Sequence, residues 1–249
     1  MYSLPKEIHR EIVGWLEPEV QQITRLTDRY FAGLIQPQRV NLLKFGAERG
    51  LLEYCEIGLA RGNPAWSAYD TAAKHGHIEI LKWARSQGCP WSNWVCAGAA
   101  EGGHLEVLQW ARSQGCPWSS WVCAGAAGGG HLEVLQWARS QGCPWDSNTC
   151  SWAALSGRLE VLKWARSQGC LWDEWTCIMA AKNGHLEVLQ WARSRGCPWD
   201  EYICSRAAEN GHLEVLQWAI ENGCPWNYLA VNISQYPQNI REYLTVLRG

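Results

Sequence analysis

Apolar residues recur at helical spacing within short blocks of this chain, and the blocks themselves recur. From His185 to about Arg195, the residues Leu186, Val188, Leu189, Trp191 and Ala192 form one stripe with the period of an α-helix. Glu187 falls in its first turn and Arg193 and Arg195 in its last, which suits the helix dipole. Gly196 stops the block and Pro198 forbids continuation. Upstream, Asp173 can accept from the free N–H groups of a first turn, opening a shorter helix that carries Ala180-Ala181 and closes at Gly184. No stretch alternates with period two, so no sheet is expected. The pattern predicts an all-α chain of helix–turn–helix units, each about 24 residues plus a loop of about three.

The unit repeats in register. Gly76-His77, Gly103-His104, Gly130-His131, Gly157-Arg158, Gly184-His185 and Gly211-His212 hold successive places 27 residues apart, the histidine being lost once. Small pairs follow at Ala72-Ala73, Ala99-Ala100, Ala126-Ala127, Ala153-Ala154, Ala180-Ala181 and Ala207-Ala208, where two helices can approach closely. Cap-type residues share the phase of Asp173 at Ser92, Ser119, Asp146 and Asp200. A fixed period of this length marks a solenoid, whose units stack only on their neighbours. Such chains mostly present binding surfaces.

Eighteen tryptophans belong to the same design. Trp83, Trp110, Trp137, Trp164, Trp191 and Trp218 form one column in the second helices, and Trp91, Trp118, Trp145, Trp172, Trp199 and Trp226 another in the loops. Two such columns are expected to replace much of an aliphatic core. The other reading is an aromatic ligand platform, but identical residues in every unit suit stacking better than recognition. Eleven of the twelve cysteines also follow the period, with only Cys55 outside it. Their C-x6-C spacing lacks the paired knuckles of a zinc site, so reduced, metal-free, buried thiols are expected. The recurring histidines are expected in turn and inter-unit hydrogen bonds.

The units resemble the ankyrin repeat. Its second half commonly reads x-A-A-x-x-G-H-L-E-V-V, and Ala180-Ala181-Lys182-Asn183-Gly184-His185-Leu186-Glu187-Val188-Leu189 is similar throughout. Two departures stand out. Trp175-Thr176-Cys177-Ile178 occupies the place of the family's T-P-L-H, and the period is shorter by about six residues, where that family forms its β-hairpin finger. The resemblance implies fingers that are short or lost. Short, Trp- and Cys-rich repeats of this kind are typical of large DNA viruses of protists and some of their hosts, which implies such an origin. Positions that differ between copies flank the Ala-Ala pair, and in the family these sites lie on the concave face. They are Thr71, Lys74, Gly98, Glu101, Trp152, Leu155, Met179, Lys182, Arg206 and Glu209, with Gly125 and Gly128 leaving part of the groove bare. Trp152, Leu155 and Met179 would form an apolar patch with a charged rim, which suits a protein target.

Residues 39–226 are thus expected as repeats, beginning with a degraded unit at 41–66. Residues 227–249 form a C-terminal cap, with helix at 227–234 and 239–247 and Pro237 opening the latter. Residues 1–38 differ. Leu4-Pro5-Lys6-Glu7-Ile8, followed by Ile12 and further apolar positions, resembles an F-box. That resemblance implies docking to a Skp1-type adaptor of a cullin ubiquitin ligase through Leu4, Pro5, Ile8 and Ile12. The other reading is a helical N-cap for the solenoid.

Charge and chemistry narrow the function. A net charge of -2 gives no reason to expect nucleic acid. No signal peptide and no bilayer-length apolar run is visible, so a cytoplasmic protein is expected, in host cytoplasm or nucleus if viral. No nucleophile–base set, phosphate loop or HExxH occurs, so neither an enzyme nor a cofactor is expected. The sequence reads as a monomeric protein-interaction scaffold, either a substrate receptor for a ubiquitin ligase or a plain scaffold or decoy without that coupling.

Overall fold

A computed structural model describes residues 42–60, 66–92 and 94–249. All their regular structure is helical. First helices are α1 (Leu42–Arg49), α3 (Trp66–Lys74), α5 (Trp94–Glu101), α7 (Ser120–Gly129), α9 (Ser147–Leu155), α11 (Glu174–Lys182) and α13 (Tyr202–Glu209). Their partners are α2 (Leu52–Ala60), α4 (Ile78–Ser86), α6 (Leu105–Ser113), α8 (Leu132–Ser140), α10 (Leu159–Ser167), α12 (Leu186–Ser194) and α14 (Leu213–Glu221). A 3-10 turn (Ile233–Gln235) and α15 (Gln238–Arg248) close the described chain. Among the described residues there is no strand, so no hairpin finger joins the units.

Each first helix packs on the first helices before and after it, while each second helix packs mainly on its own partner. The alanine pairs explain the first layer: all twelve alanines are fully buried in the seam. Gly98 and Gly125 extend it, since a Cβ there would approach the carbonyls of Asp70 and Ala97 at 3.0 and 2.9 Å. Gly125 is therefore buried between helices, and Gly128 lies under the ring of Trp152. Gly125 thus lines the groove as backbone without a side chain, while the Trp152 ring covers Gly128.

The aliphatic core also differs from expectation. Leu81, Leu108, Leu135, Leu162, Leu189 and Leu216 are fully buried, whereas both tryptophan columns are half-buried against them. Five of the loop rings meet the helix ring of the next unit edge-on, as in Trp118–Trp137 at 6.1 Å and Trp172–Trp191 at 5.8 Å, and Trp226 meets Tyr236 instead. The arginine near the end of the second helix lies over the loop ring, 4.0 Å away for Arg112 on Trp118. Its guanidinium also donates to the carbonyl of the following cysteine, as Arg193 does to Cys197 at 2.8 Å. A ring covered on one face by a cation and exposed on another clamps neighbouring loops without replacing the leucine core.

The histidines act between units. Nε2 of His104, His185 and His212 donates to the carbonyls of Lys74, Leu155 and Lys182 at 3.0, 3.1 and 3.0 Å. The glycine before each second helix adopts positive φ, and the next unit's ring lies against it: a Cβ on Gly184 would stand 2.6 Å from His212. Where Arg158 replaces histidine, its side chain fills the same place against Gly130. Gly50 and His77 repeat the arrangement, so α1 and α2 supply the degraded first unit.

All twelve cysteines are buried free thiols. Four of those in the loops donate backwards, as Cys224 does to the carbonyl of Asp200 at 3.2 Å and Cys197 to that of Asp173 at 3.4 Å, whereas Cys116 donates to Pro117. A hydrogen bond with Cys116, together with burial, raises the Cys96 thiol far above the ordinary range. Burial pushes the Cys55 thiol up to about 11, with Glu56 adding to the shift.

Capping and loops depart from expectation in three places. Asp146, Asp173 and Ser92 accept from N–H groups two residues on, but Ser119 makes no such bond. Six residues, not three, join one unit to the next, as at 168–173. At 227–234 the chain forms turns and the start of the 3-10 segment where a helix was expected, and Arg248 of α15 turns back to donate to the Tyr228 and Val231 carbonyls there. Pro237 does open the last helix.

Candidate protein-binding face

First helices begin with an aromatic residue just after the cap: Trp94, Trp121, Trp175 and Tyr202 keep one phase, with Asn148 between them. On a helix, Trp94 is turned about 140° from Ala99 and about 240° from Ala100, so it points away from the buried seam. These rings are 53%, 40%, 49% and 51% exposed. They make up most of the exposed large apolar side chains among the described residues. Isolated surface rings need no explanation, but a column at one register does.

At the N-terminal end the column opens into a groove of about 600 Å³, floored by Ala97, Gly98 and Gly125. Trp94 and Trp121 lie 5.9 Å apart, and Trp152 meets Trp121 edge-on at 5.8 Å. Thr71 and Lys74 line the other side with Asp70 and His75. Lys74 reaches across to Glu101 at 2.8 Å, an exposed ion pair that holds geometry more than it adds stability. Asp70 is less usual. Burial raises its carboxyl above the ordinary carboxylate range, a hydrogen bond from Ser92 offsets this in part, and Oδ1 has no partner.

Of the residues singled out from the sequence, Thr71, Lys74, Gly98, Glu101, Gly125 and Trp152 come together in this groove. Leu155, Met179, Lys182, Arg206 and Glu209 lie further along, on α9, α11 and α13, and do not line it. Leu155 and Met179 are half-buried, and Lys182 is exposed. Arg206 and Glu209 pair with each other at 2.7 Å, so the rim expected to be charged is locally neutralised. Copy-to-copy variation did not reveal Trp94, Trp121, Trp175 and Tyr202. Their near-constancy reads as scaffold, and only their helical angle to the alanine pair could have shown them exposed.

Leu4, Pro5, Ile8 and Ile12 lie outside the described residues. Within those residues, no helix is long and apolar enough to cross a membrane, and no three His, Cys, Asp or Glu side chains gather as a metal site.

No family model matches the chain, and no curated protein does. Solved structures are similar in fold. The crystal structure of the human ASB11 ankyrin repeat domain superposes with a TM-score of 0.52 at 15% identity, covering 73% of this chain and 97% of that one. The described residues form an all-helical, ankyrin-like solenoid.

Proposed function

We propose that this protein is a non-enzymatic interaction scaffold that holds a protein target against its first-helix face. The exposed aromatic column leading into the Trp94–Trp121–Trp152 groove carries this reading. Aromatic anchors dominate protein interfaces, and this one is open along successive units. Thr71, Lys74, Leu155, Met179, Lys182, Arg206 and Glu209 would adjust the fit around Trp152. The chain would act as a monomer, in the cytoplasm, or in host cytoplasm or nucleus if it is viral.

The F-box-like pattern at Leu4, Pro5, Ile8 and Ile12 supports a further step, in which a Skp1-type adaptor brings a cullin ubiquitin ligase to the bound target. Two variants separate the parts. Trp152→Arg should remove target capture and keep Skp1 co-precipitation. Replacing Leu4 and Pro5 with alanine should do the reverse, leaving repeat unfolding unchanged because solenoid energies pass between neighbours. If the double variant lowers repeat stability and Skp1 never binds, residues 1–38 are a cap and the protein is a scaffold without ligase coupling.

A further inference from the structure

The aromatic column changes character along its length. Trp121 follows Ser119 and Ser120, whereas Trp175 follows Asp173 and Glu174, and Tyr202 follows Asp200 and Glu201. Asp173 and Asp200 each spend one oxygen on a backbone N–H, at 3.1 and 3.0 Å, which fixes their carboxylates beside the rings. Glu174 and Glu201 are exposed, and neither takes part in an ion pair among the described residues. Two of the nearby cations are committed elsewhere. Arg193 lies 4.0 Å over Trp199 and donates to Cys197, and Arg206 pairs with Glu209. Lys182 sits at the far end of α11, about 12 Å along the axis from Glu174.

The molecule itself shows what such a ring takes. In five successive units an arginine lies over a loop tryptophan at 4.0 to 4.8 Å. Among the described residues, no such cation covers Trp175 or Tyr202. Two exposed rings with bare faces, each beside an unpaired carboxylate and a held one, complement a cation on both counts: the ring quadrupole attracts it and the carboxylate pairs with it.

We propose that the Asp173–Glu174–Trp175 and Asp200–Glu201–Tyr202 end of the face docks an arginine- or lysine-bearing segment of the protein partner. This rests on the reading of the first-helix face as a protein-binding surface and assigns the chemistry of one end of it. Cationic side chains seat over Trp175 and Tyr202 and bond Glu174 and Glu201. The less charged remainder of the segment continues toward the tryptophan groove. Charge complementarity of this kind sets orientation and on-rate as well as affinity.

The test is fluorescence anisotropy of the full-length protein with three labelled peptides of equal length, (Arg-Ala-Pro)4, (Ala-Ala-Pro)4 and (Glu-Ala-Pro)4. The arginine peptide should bind at least tenfold tighter than the alanine peptide, and the glutamate peptide weakest. Affinity should fall steeply with salt. E174K/E201K should cost tenfold or more, and W175A/Y202A a similar amount. E187K/E214K, with the same net charge change on the second helices, should leave binding unchanged, and a thermal melt should show every variant folded. Equal binding of arginine and alanine peptides, or equal losses from the two charge-reversal pairs, overturns the proposal. If the alanine peptide binds as well as the arginine peptide and W152R removes both, the groove reading survives this failure. If none of the three binds, the basic-segment proposal falls, and the groove reading is judged by target capture with W152R alone.

Discussion

Two glycines separate what backbone conformation costs from what crowding costs. Gly184 and Gly196 both hold φ near +80°, at 76° and 79°, but a Cβ on Gly184 would meet the His212 ring while one on Gly196 meets open space. Gly196→Ala should lose about 1–2 kcal/mol, the cost of a left-handed conformation for a residue with a Cβ. Gly184→Ala should lose at least about 1 kcal/mol more, because the His212–Lys182 bond must also shift. Denaturant unfolding measures both. Asp70 supplies a pH-dependent counterpart. Its raised value favours the neutral acid in the fold, so its contribution is fully present below the unfolded carboxylate range and is lost as pH rises through the folded value. Asp70→Asn should raise Tm at pH 7 and leave it nearly unchanged at pH 3. A Tm that drops at pH 7 would mean the carboxylate has a partner the fold depends on. Much at this scale was legible in the sequence, since glycine, histidine and cap residues recur with the period. The environment of Asp70 was not, because it depends on Ser92 and on packing across α3 and α5.

Between helices, stability rests on the leucine and alanine positions more than on the tryptophans. The apolar stripe was readable from spacing, but spacing cannot rank members of a stripe by burial. Leu189 is fully buried, and Trp191 only packs beside it. Leu189→Ala should therefore cost about 2–5 kcal/mol. Trp137→Ala, which would cost about as much were the ring central, should lose about 1–3 kcal/mol, part of it from the edge contact with Trp118. Calorimetric melts of the two variants decide the order; a larger loss for the tryptophan would return the rings to the core. The same gap between pattern and packing hid the exposed column. Trp94 and Trp137 are the same residue type at the same period, and only their angle to the alanine seam makes one a surface anchor and the other a clamp.

Across the whole molecule, the repeat was legible because identical units force identical packing, and the missing hairpin followed from a period too short to hold one. The choice of target was not legible, since near-identical copies leave few positions free to encode it. What distinguishes the two sides of the solenoid is chemistry. The first-helix side carries the exposed aromatic column, while the tryptophans of the second helices are half-buried beside exposed acids, of which Glu79 and Glu160 pair with Lys82 and Lys163. The most direct measurement is site-specific photo-crosslinking of the full-length protein in cells, with the probe placed at Met179 on α11 or at Glu187 on α12. Discrete protein adducts from position 179, lost on Trp152→Arg, with little from position 187, are the predicted result. Equal adducts from both positions, or adducts from position 187 alone, would contradict a first-helix binding face.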